Sequence, residues 1–167
     1  VGEKVAVAPL VPCGTCENCQ KGEPAMCTQY SFIGSREQGA MAEYVVVPEK
    51  NCVKVPDTLS LKEAALLEPL TVAIHGIERV RVPAGAEVLV LGAGTIGLLT
   101  VLALRAIGVG KIIVVDLNDK KLTLAKKIGA DEAVNPIAVK LEDYYQKNPL
   151  PEVTIETAGS SIAQKQA

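Results

Sequence analysis

Four cysteines are crowded into residues 12–27, which read PCGTCENCQKGEPAMC, in a chain with only 5 cysteines and 1 histidine. Disulfides are disfavoured, because cysteines three positions apart pair poorly and a reducing cytoplasm opposes such bonds. An iron–sulfur run would place its fourth cysteine after three residues and before proline, which this spacing does not. A zinc ion bound by four thiolates fits best. The predicted ligands are Cys13, Cys16, Cys19 and Cys27.

Four thiolates leave a zinc ion no open position for water or substrate, so this zinc is expected to stabilise a loop and not to catalyse. The fifth cysteine, Cys52 in KNCVKV, is interpreted as a small buried strand residue. The chemistry of the protein must therefore lie elsewhere in the chain.

A second candidate site is the stretch VLVLGAGTIG, a predicted strand followed by the spacing G-x-G-x-x-G and a predicted helix. In a dinucleotide fold the first glycine makes a tight turn, the second admits the pyrophosphate, and the third lets helix and strand pack closely. Amides at the helix N-terminus would face the phosphates. The residues concerned are Gly92, Gly94, Thr95, Ile96 and Gly97.

An acidic residue stands where such a fold binds ribose. Asp116 ends the predicted strand KIIVVD, and its carboxylate would accept hydrogen bonds from ribose hydroxyls and repel a 2′-phosphate, so NAD is predicted over NADP. Lys121 is a candidate to cover the adenine, with a solvated lysine as the alternative. Thr157 in ETAG follows the last strand, at the sheet edge where the nicotinamide half should lie.

Periodicity divides the chain into two parts. Strand-like text at 4–10, 41–48 and 52–56 indicates a small β-rich lobe. From Ser60, with Glu63 completing a capping box, helical spacing begins and breaks at Pro69 before it resumes. After residue 81 strands and helices alternate, which is typical of a parallel sheet in an α/β domain. The predicted domains are 1–80 and 81–167.

Composition excludes several partner classes. The chain has 167 residues, 49% of them hydrophobic and 22% charged, with a net charge of −2 and no Lys/Arg stripe. Nucleic acid and anionic membranes are therefore not expected as partners, and a small molecule is. No leader sequence and no apolar run near the roughly 20 residues of a membrane span are visible, so a cytoplasmic location is expected.

Together these motifs resemble the zinc-dependent medium-chain dehydrogenases, and the stretches PLVPCGTCENCQKGEPAMCTQYSFIGSREQGAMAEYVVV and LLEPLTVAIHG resemble the polyol branch of that family. The resemblance implies a partial GroES-like lobe with a structural zinc, followed by a partial Rossmann domain that binds NAD. It also implies a polyol or polyol phosphate as substrate and a homo-oligomer. The chain would be an internal piece of a longer enzyme, whose other catalytic-zinc ligands, a cysteine and a His-Glu pair, lie upstream.

Three further residues gain roles or alternatives from this resemblance. Glu68 matches a glutamate near the catalytic metal of polyol dehydrogenases, and its place before Pro69 predicts a position at the break between two helices. Arg36 is a candidate contact for a sugar phosphate, with a surface arginine as the alternative. His75 has no matching family role, and its helical register favours a packed histidine.

The activity implied is hydride transfer from a substrate carbinol to nicotinamide, with a catalytic zinc that lowers the pKa of the alcohol. Two alternatives stay open. One is another zinc- and NAD-dependent oxidation, of sorbitol or threonine. The other, for this chain by itself, is a zinc- and nucleotide-binding module without catalysis.

Overall fold

The computed structural model describes residues 2–167, so Val1, the first residue of the predicted first domain, lies outside it. The chain folds as two compact units, the first ending at Glu68 and the second spanning Pro69–Ala167. The predicted division at residue 80 assigns helix Leu67–Val80 to the first domain. In the structure, Leu70 and Ile77 of this helix pack in the hydrophobic core of the second unit.

The first unit has little regular structure. Strand β1 (Val5–Val7) pairs antiparallel with β4 (Cys52–Lys54), and β2 (Leu10–Val11) pairs with β3 (Ser31–Phe32). Helix α1 (Glu17–Gln20) and two short 3₁₀ turns, Pro24–Met26 and Glu49–Asn51, complete the lobe before α2 (Leu61–Ala64). Among residues 2–68 the buried side chains are few: Cys27, Asn51, Val55 and Ala64.

The predicted strand at 41–48 is wrong. These residues form no strand in the structure, and Met41, Tyr44 and Val46 are almost fully exposed. Alternating apolar residues give a strand only when another strand supplies hydrogen-bond partners, because β-propensity largely measures packing against neighbours. The described part of the first unit provides no such partner to this segment.

The helix pair is confirmed, but its break lies earlier than expected. The Ser60 side chain caps α2 by accepting from the Glu63 amide, and the Glu63 side chain accepts from the Ser60 amide, which completes the predicted capping box. Helix α3 (Leu67–Val80) starts before Pro69, so Glu68 lies in its first turn and not at the break. Proline is tolerated there because first-turn amides have no intrahelical acceptor.

The second unit contains a parallel four-stranded sheet. Its strands are β5 (Glu87–Leu91), β6 (Lys111–Val115), β7 (Glu132–Val134) and β8 (Val153–Glu156), in the spatial order β7-β6-β5-β8. All pairings are parallel. The order corresponds to strands 3-2-1-4 of a dinucleotide-binding fold, which confirms the predicted α/β class.

Helices cover both faces of this sheet because each central strand is apolar on both sides. The helices are α4 (Thr95–Ile107), α5 (Asp119–Lys127), α6 (Leu141–Tyr145) and α7 (Ser161–Gln166). On one face, Val88, Val90, Ile112 and Val114 pack with α4, α5 and Ile77. On the other, the intervening residues Leu89, Leu91, Ile113 and Val115 pack with Leu141 and Ala163. Among the residues described, no helix is long and apolar enough to cross a membrane.

Candidate functional site

Three strands of the sheet deliver their carboxyl ends to one edge. Strand β5 runs into the glycine-rich turn, β6 into Asp116, and β8 into the ETAG segment. The Gly92 amide donates to the Val115 carbonyl at 2.7 Å, which ties the turn to the end of β6. In open parallel sheets, ligands bind outside the carboxyl ends of the strands, so this edge is the candidate site.

The backbone conformation at the first position of the motif requires glycine. Gly92 has φ of +99°, in the region that side chains rarely adopt, and a Cβ built there would lie 2.8 Å from the Ala158 nitrogen. The turn therefore passes close against the segment that follows β8.

The other two glycines differ from each other. A Cβ at Gly97 would lie 1.9 Å from the Gly92 carbonyl oxygen, so this glycine allows α4 to pack against the turn. A Cβ at Gly94 would meet nothing within 4 Å, so space is open beside the turn where a phosphate can approach. Gly94 is also the N-cap of α4, and the amides of Thr95 and Ile96 have no intrahelical acceptor. This is the geometry of an anion site at a helix N-terminus.

Asp116 contacts the turn directly. Its Oδ2 accepts from the Ala93 amide at 2.7 Å, and its Oδ1 accepts from the Asn118 amide at 2.8 Å. A carboxylate offers about four lone-pair positions, so these two bonds leave acceptors for the hydroxyls of a ribose. The placement expected for the ribose-binding acid is thus the one observed.

A cavity of about 520 Å³ opens beside these groups. This volume lies in the usual range for ligand pockets. Its lining includes Gly92, Asp116, Leu117, Ile137, Ala158 and Ile162. Three of these are apolar side chains exposed by more than half: Leu117 by 66%, Ile137 by 78% and Ile162 by 70%. Apolar side chains around a cavity with one fixed carboxylate suit a flat, partly apolar group such as a nucleoside.

Two other predicted cofactor residues lie near this edge but do not line the cavity. Lys121 is an exposed residue in the first turn of α5, with its amide capped by the Asn118 side chain at 3.3 Å. Thr157 is half-buried behind the turn, where its hydroxyl lies 2.9 Å from the Leu91 carbonyl oxygen and 3.0 Å from that of Gly92. Its hydroxyl is engaged by the protein backbone.

The four cysteines predicted as ligands form one cluster, with their Sγ atoms all within 4.8 Å of one another. The Sγ atom of Cys27 lies 3.5 Å from that of Cys13 and 3.9 Å from that of Cys16, and Cys13 and Cys19 are 4.0 Å apart. A tetrahedron with Zn–S bonds of about 2.3 Å has S–S edges of roughly 3.8 Å. The three S–S distances of 3.5, 3.9 and 4.0 Å lie close to this edge length, so small shifts of the side chains would let the cluster hold a tetrahedral zinc ion.

Hydrogen bonds prepare part of this cluster for ionisation. The Thr15 hydroxyl and nearby amides, including that of Cys16, donate toward the Cys13 sulfur and lower the pKa of Cys13 to about 6. Amide hydrogen bonds also lower the pKa of Cys16. Burial, followed by the neighbouring thiols, raises the pKa of Cys19 to about 12. Four thiolates this close together repel one another, so they ionise together only when a cation offsets their charge.

The remaining predicted site residues belong to neither the cysteine cluster nor the cavity of about 520 Å³. Glu68 is exposed and lines a cavity of about 260 Å³ with Val5, Ala6, Val7, Leu61, Ala64 and Ala65. Within residues 2–167 the only group of three or more potential metal ligands is the cysteine cluster, and Glu68 does not belong to it. His75 is exposed, which corrects the expectation of a packed histidine, because its register on α3 differs from that of buried Ala73 and Ile77.

Arg36 has a partner that the sequence did not suggest. Its guanidinium stacks 4.0 Å over the ring of Tyr30 and donates to the Tyr30 carbonyl at 2.9 Å and hydroxyl at 3.1 Å. These contacts hold the side chain in a fixed place on the lobe. Cys52 is half-buried in β4, close to its expected environment.

Sequence reasoning missed the apolar lining of the larger cavity. Leu117 and Ile137 come shortly after the ends of β6 and β7, and Ile162 lies in the first turn of the helix that follows β8. A large apolar residue in the segment that follows a predicted parallel strand is the signal that would have found them. Glu156 was also missed; its role in the turn depends on hydrogen bonds to Ala158 and Gly159.

We predict that the cluster holds one zinc ion. Metal analysis of the purified protein should give about one zinc and no iron at this site, since four thiolates favour tetrahedral zinc. Cys16→Ser should abolish this zinc and loosen residues 12–27, whereas the matched change Cys52→Ser should leave the zinc content unchanged. Acid-labile sulfide in the purified protein would contradict the assignment.

A second prediction separates the two glycines. Gly97→Ala should lower the free energy of unfolding by about 1–3 kcal/mol or more, because the added Cβ would collide with the Gly92 carbonyl oxygen. Gly94→Ala should change it by less than about 0.5 kcal/mol, yet weaken NAD binding, since the methyl group would fill the open space beside the turn. Thermal denaturation and NAD titration measure both effects. Equal melting temperatures for the two variants would contradict this packing.

Sequence comparison with known domain families gives two matches. The alcohol dehydrogenase GroES-like domain matches residues 1–57, and the zinc-binding dehydrogenase domain matches residues 95–167. Together the two matches cover more than half of the chain.

Curated relatives agree with these matches. The galactitol 1-phosphate 5-dehydrogenase of Escherichia coli K12 is 37% identical over 161 residues, which are 95% of this chain and 46% of the relative. A sorbitol dehydrogenase of Arabidopsis thaliana is 41% identical over 144 residues, which are 86% of this chain and 39% of the relative. The chain spans less than half the length of these two relatives.

Solved structures are similar as well. A short chain alcohol dehydrogenase of E. coli CFT073 complexed with NADH has a TM-score of 0.89 and 37% identity, covering 96% of this chain and 48% of that one. A protein of Sinorhizobium meliloti 1021 described as a zinc-binding dehydrogenase, bound to NADP, has a TM-score of 0.91 and 34% identity, covering 99% of this chain and 50% of that one. The chain belongs to the zinc-binding alcohol dehydrogenase family.

Proposed function

We propose that the complete protein is a zinc-containing, NAD-dependent polyol dehydrogenase that oxidises a secondary alcohol of a sugar alcohol. The substrate proposed is galactitol 1-phosphate, with tagatose 6-phosphate as the product. The observation that carries the proposal is the meeting of the glycine-rich turn, Asp116 and an apolar cavity at one sheet edge. The expectations of a cytoplasmic location, a homo-oligomer and no nucleic-acid or membrane partner remain predictions.

The choice of NAD rests on Asp116. Similar proteins of known structure have been solved with NADH and with NADP, so membership of the family does not decide the cofactor. The Asp116 carboxylate is held in place by two backbone amides, which donate to its two oxygens. A fixed negative charge attracts ribose hydroxyls and repels a 2′-phosphate.

The other residues of the cofactor site bind and orient. The open space at Gly94 and the first amides of α4 would receive the pyrophosphate. The apolar side chains of Leu117, Ile137 and Ile162 would enclose the adenine and exclude water from it. Lys121, exposed in the first turn of α5, is a candidate to cover the outer face of the same base.

The four-cysteine cluster and Glu68 have separate metal roles in this proposal. Cys13, Cys16, Cys19 and Cys27 would hold a structural zinc with no position free for substrate. Glu68 would lie near a second, catalytic zinc, whose other ligands would come from outside the described residues. When bound, the dinucleotide would supply the acceptor for the hydride of the carbinol C–H, and the catalytic zinc would supply a Lewis acid that lowers the pKa of the alcohol.

The phosphate of the proposed substrate needs a cationic contact, and Arg36 is the candidate. Its two hydrogen bonds to Tyr30 use two of the five guanidinium N–H donors, so other donors stay free to face a phosphate. The stacking on Tyr30 pre-orients the group, which lowers the entropy cost of binding.

A second candidate substrate is sorbitol. The Arabidopsis sorbitol dehydrogenase matches this chain at 41% identity, compared with 37% for the galactitol 1-phosphate enzyme. The two candidates differ in the phosphate, so they differ in their need for Arg36.

The test is a substrate panel with the complete protein. Initial rates of NADH formation are measured with galactitol 1-phosphate, sorbitol and L-threonine, each with NAD and with NADP. We expect the largest kcat/KM with galactitol 1-phosphate and NAD, and a raised KM for that substrate alone in Arg36→Gln. A preference for sorbitol, with no effect of Arg36→Gln, would transfer the assignment to sorbitol. Binding of zinc and NAD without any turnover would indicate a non-catalytic module.

A further prediction concerns cofactor choice. Asp116→Asn removes the charge and replaces one of the two oxygens that accept from backbone amides by an NH2 group, so NAD affinity should fall roughly tenfold to a hundredfold, the loss expected for hydrogen bonds to a charged group. NADP affinity should rise or stay constant, so the preference for NAD over NADP should become smaller. Titration of each cofactor measures the change. An unaltered ratio of NAD to NADP affinity would remove Asp116 from the ribose site.

A further inference from the structure

The ETAG segment, residues 156–159, packs directly behind the glycine-rich turn. The Thr157 amide donates to the Leu91 carbonyl at 2.8 Å, and the Thr157 hydroxyl lies 2.9 Å from the same oxygen and 3.0 Å from the Gly92 carbonyl oxygen. One hydroxyl proton is therefore shared between the last residue of β5 and the first residue of the turn.

The same hydroxyl lies against both of the tightly packed glycines. A Cβ on Gly92 would come within 3.0 Å of the Thr157 Oγ1, and a Cβ on Gly97 within 2.8 Å of it. No larger group fits between β8, the turn and the start of α4. The position of Thr157 thus fixes how closely these three elements approach.

Glu156 fixes the backbone on the other side of this contact. Its Oε1 accepts from the Ala158 amide at 2.7 Å and from the Gly159 amide at 2.8 Å. The Ala158 backbone is also the nearest neighbour of the Cβ position at Gly92. The carboxylate therefore holds in place the peptide against which the turn rests.

We infer that Thr157 and Glu156 are positioning residues, which hold the glycine-rich turn in the shape that receives the pyrophosphate of the dinucleotide. This inference rests on the proposed cofactor site. It differs from the sequence-based expectation, in which Thr157 contacts the nicotinamide half. In the structure the Thr157 hydroxyl points its proton at carbonyl oxygens of the turn and not at the cavity.

The deciding comparison is Thr157→Val with Thr157→Ser in the complete protein. Valine has the shape of threonine, but its methyl group donates no hydrogen bond and is too large to lie 2.9 Å from a carbonyl oxygen. The turn must therefore shift. Serine keeps the hydroxyl. We expect Thr157→Val to weaken the binding of ADP and of NAD alike, by about tenfold, because both carry the pyrophosphate. Thr157→Ser should bind both within about twofold of the unmodified protein.

Thr100→Val is the matched control. Thr100 is also a threonine whose hydroxyl donates to a carbonyl oxygen, that of Ile96 at 2.9 Å, but this bond is internal to α4 and does not involve the Leu91 or Gly92 carbonyl. This variant should lower the melting temperature without changing ADP affinity. Equal losses of ADP affinity in Thr100→Val and Thr157→Val would show a general loss of stability and overturn the inference.

A second pair of variants tests Glu156. In Glu156→Gln a side-chain oxygen still accepts from the two amides, whereas in Glu156→Leu none does. ADP affinity should therefore fall about tenfold in Glu156→Leu and little in Glu156→Gln. Equal ADP affinity in Glu156→Leu and the unmodified protein would remove Glu156 from the proposal.

Other outcomes are also decisive. A loss of NAD affinity without a loss of ADP affinity in Thr157→Val would mean direct contact with the nicotinamide half and would overturn the positioning role. Failure of Thr157→Ser to restore binding would overturn it as well. If the unmodified protein binds neither ADP nor NAD, the proposed cofactor site is wrong and this inference with it. Failure of the proposed cofactor site can be distinguished from failure of this inference, because the former is seen in the unmodified protein and the latter only in the variants.

Discussion

The close approach of the Gly97 backbone to the Gly92 carbonyl oxygen is the contact on which the cofactor half of the molecule depends. A Cβ at Gly97 would stand 1.9 Å from that oxygen, so only glycine lets α4 begin directly behind β5. This approach aims the free amides at the start of α4 over the sheet edge. The parallel pairing of β5 with β6 brings Asp116, at the end of β6, to the same turn, where its Oδ2 lies 2.7 Å from the Ala93 amide. The candidate anion site therefore depends on this close packing, and the candidate ribose site depends on the pairing of β5 with β6.

The first unit depends on different physics. Among residues 2–68 the buried apolar side chains are only Cys27, Val55 and Ala64, too few for a hydrophobic core. Two sets of polar interactions stabilise this unit in place of such a core. The buried Asn51 side chain donates to the Ala8 carbonyl at 2.6 Å and the Leu10 carbonyl at 2.8 Å, which joins the 3₁₀ turn to the first strands. The four thiols bring together parts of the loop that make few other contacts, as metal ligands do in small lobes.

Elements with a strong, locally satisfied pattern could be predicted from the sequence. The four strands of the parallel sheet, α4, α5 and the capping box of α2 are all present as expected, because each is specified by residues within a few positions. Residues 41–48 were wrongly predicted, since a strand depends on a partner that short-range pattern does not reveal. Pro69 also gave a wrong prediction, because a helix break was expected there and Pro69 instead lies in the first turn of α3. Its effect depends on whether it lies in the first turn of a helix or deeper, and the helix start at Leu67 decides this.

Prediction from the sequence reaches the same limit for the single side chains of the candidate site: contacts between distant positions are not visible in local pattern. Residue types and spacing were enough to find the four cysteines, the three glycines and Asp116, because motif chemistry constrains each of them. The contacts of Thr157 could not be found in this way, since its hydroxyl meets carbonyls 65 and 66 positions earlier in the chain. The parallel pairing of β5 with β8 brings these positions together, with Leu91 opposite Glu156. Because sheet register decides which residue after β8 meets the glycine-rich turn, the contact between the Thr157 hydroxyl and the Gly92 carbonyl could not be predicted from local sequence pattern.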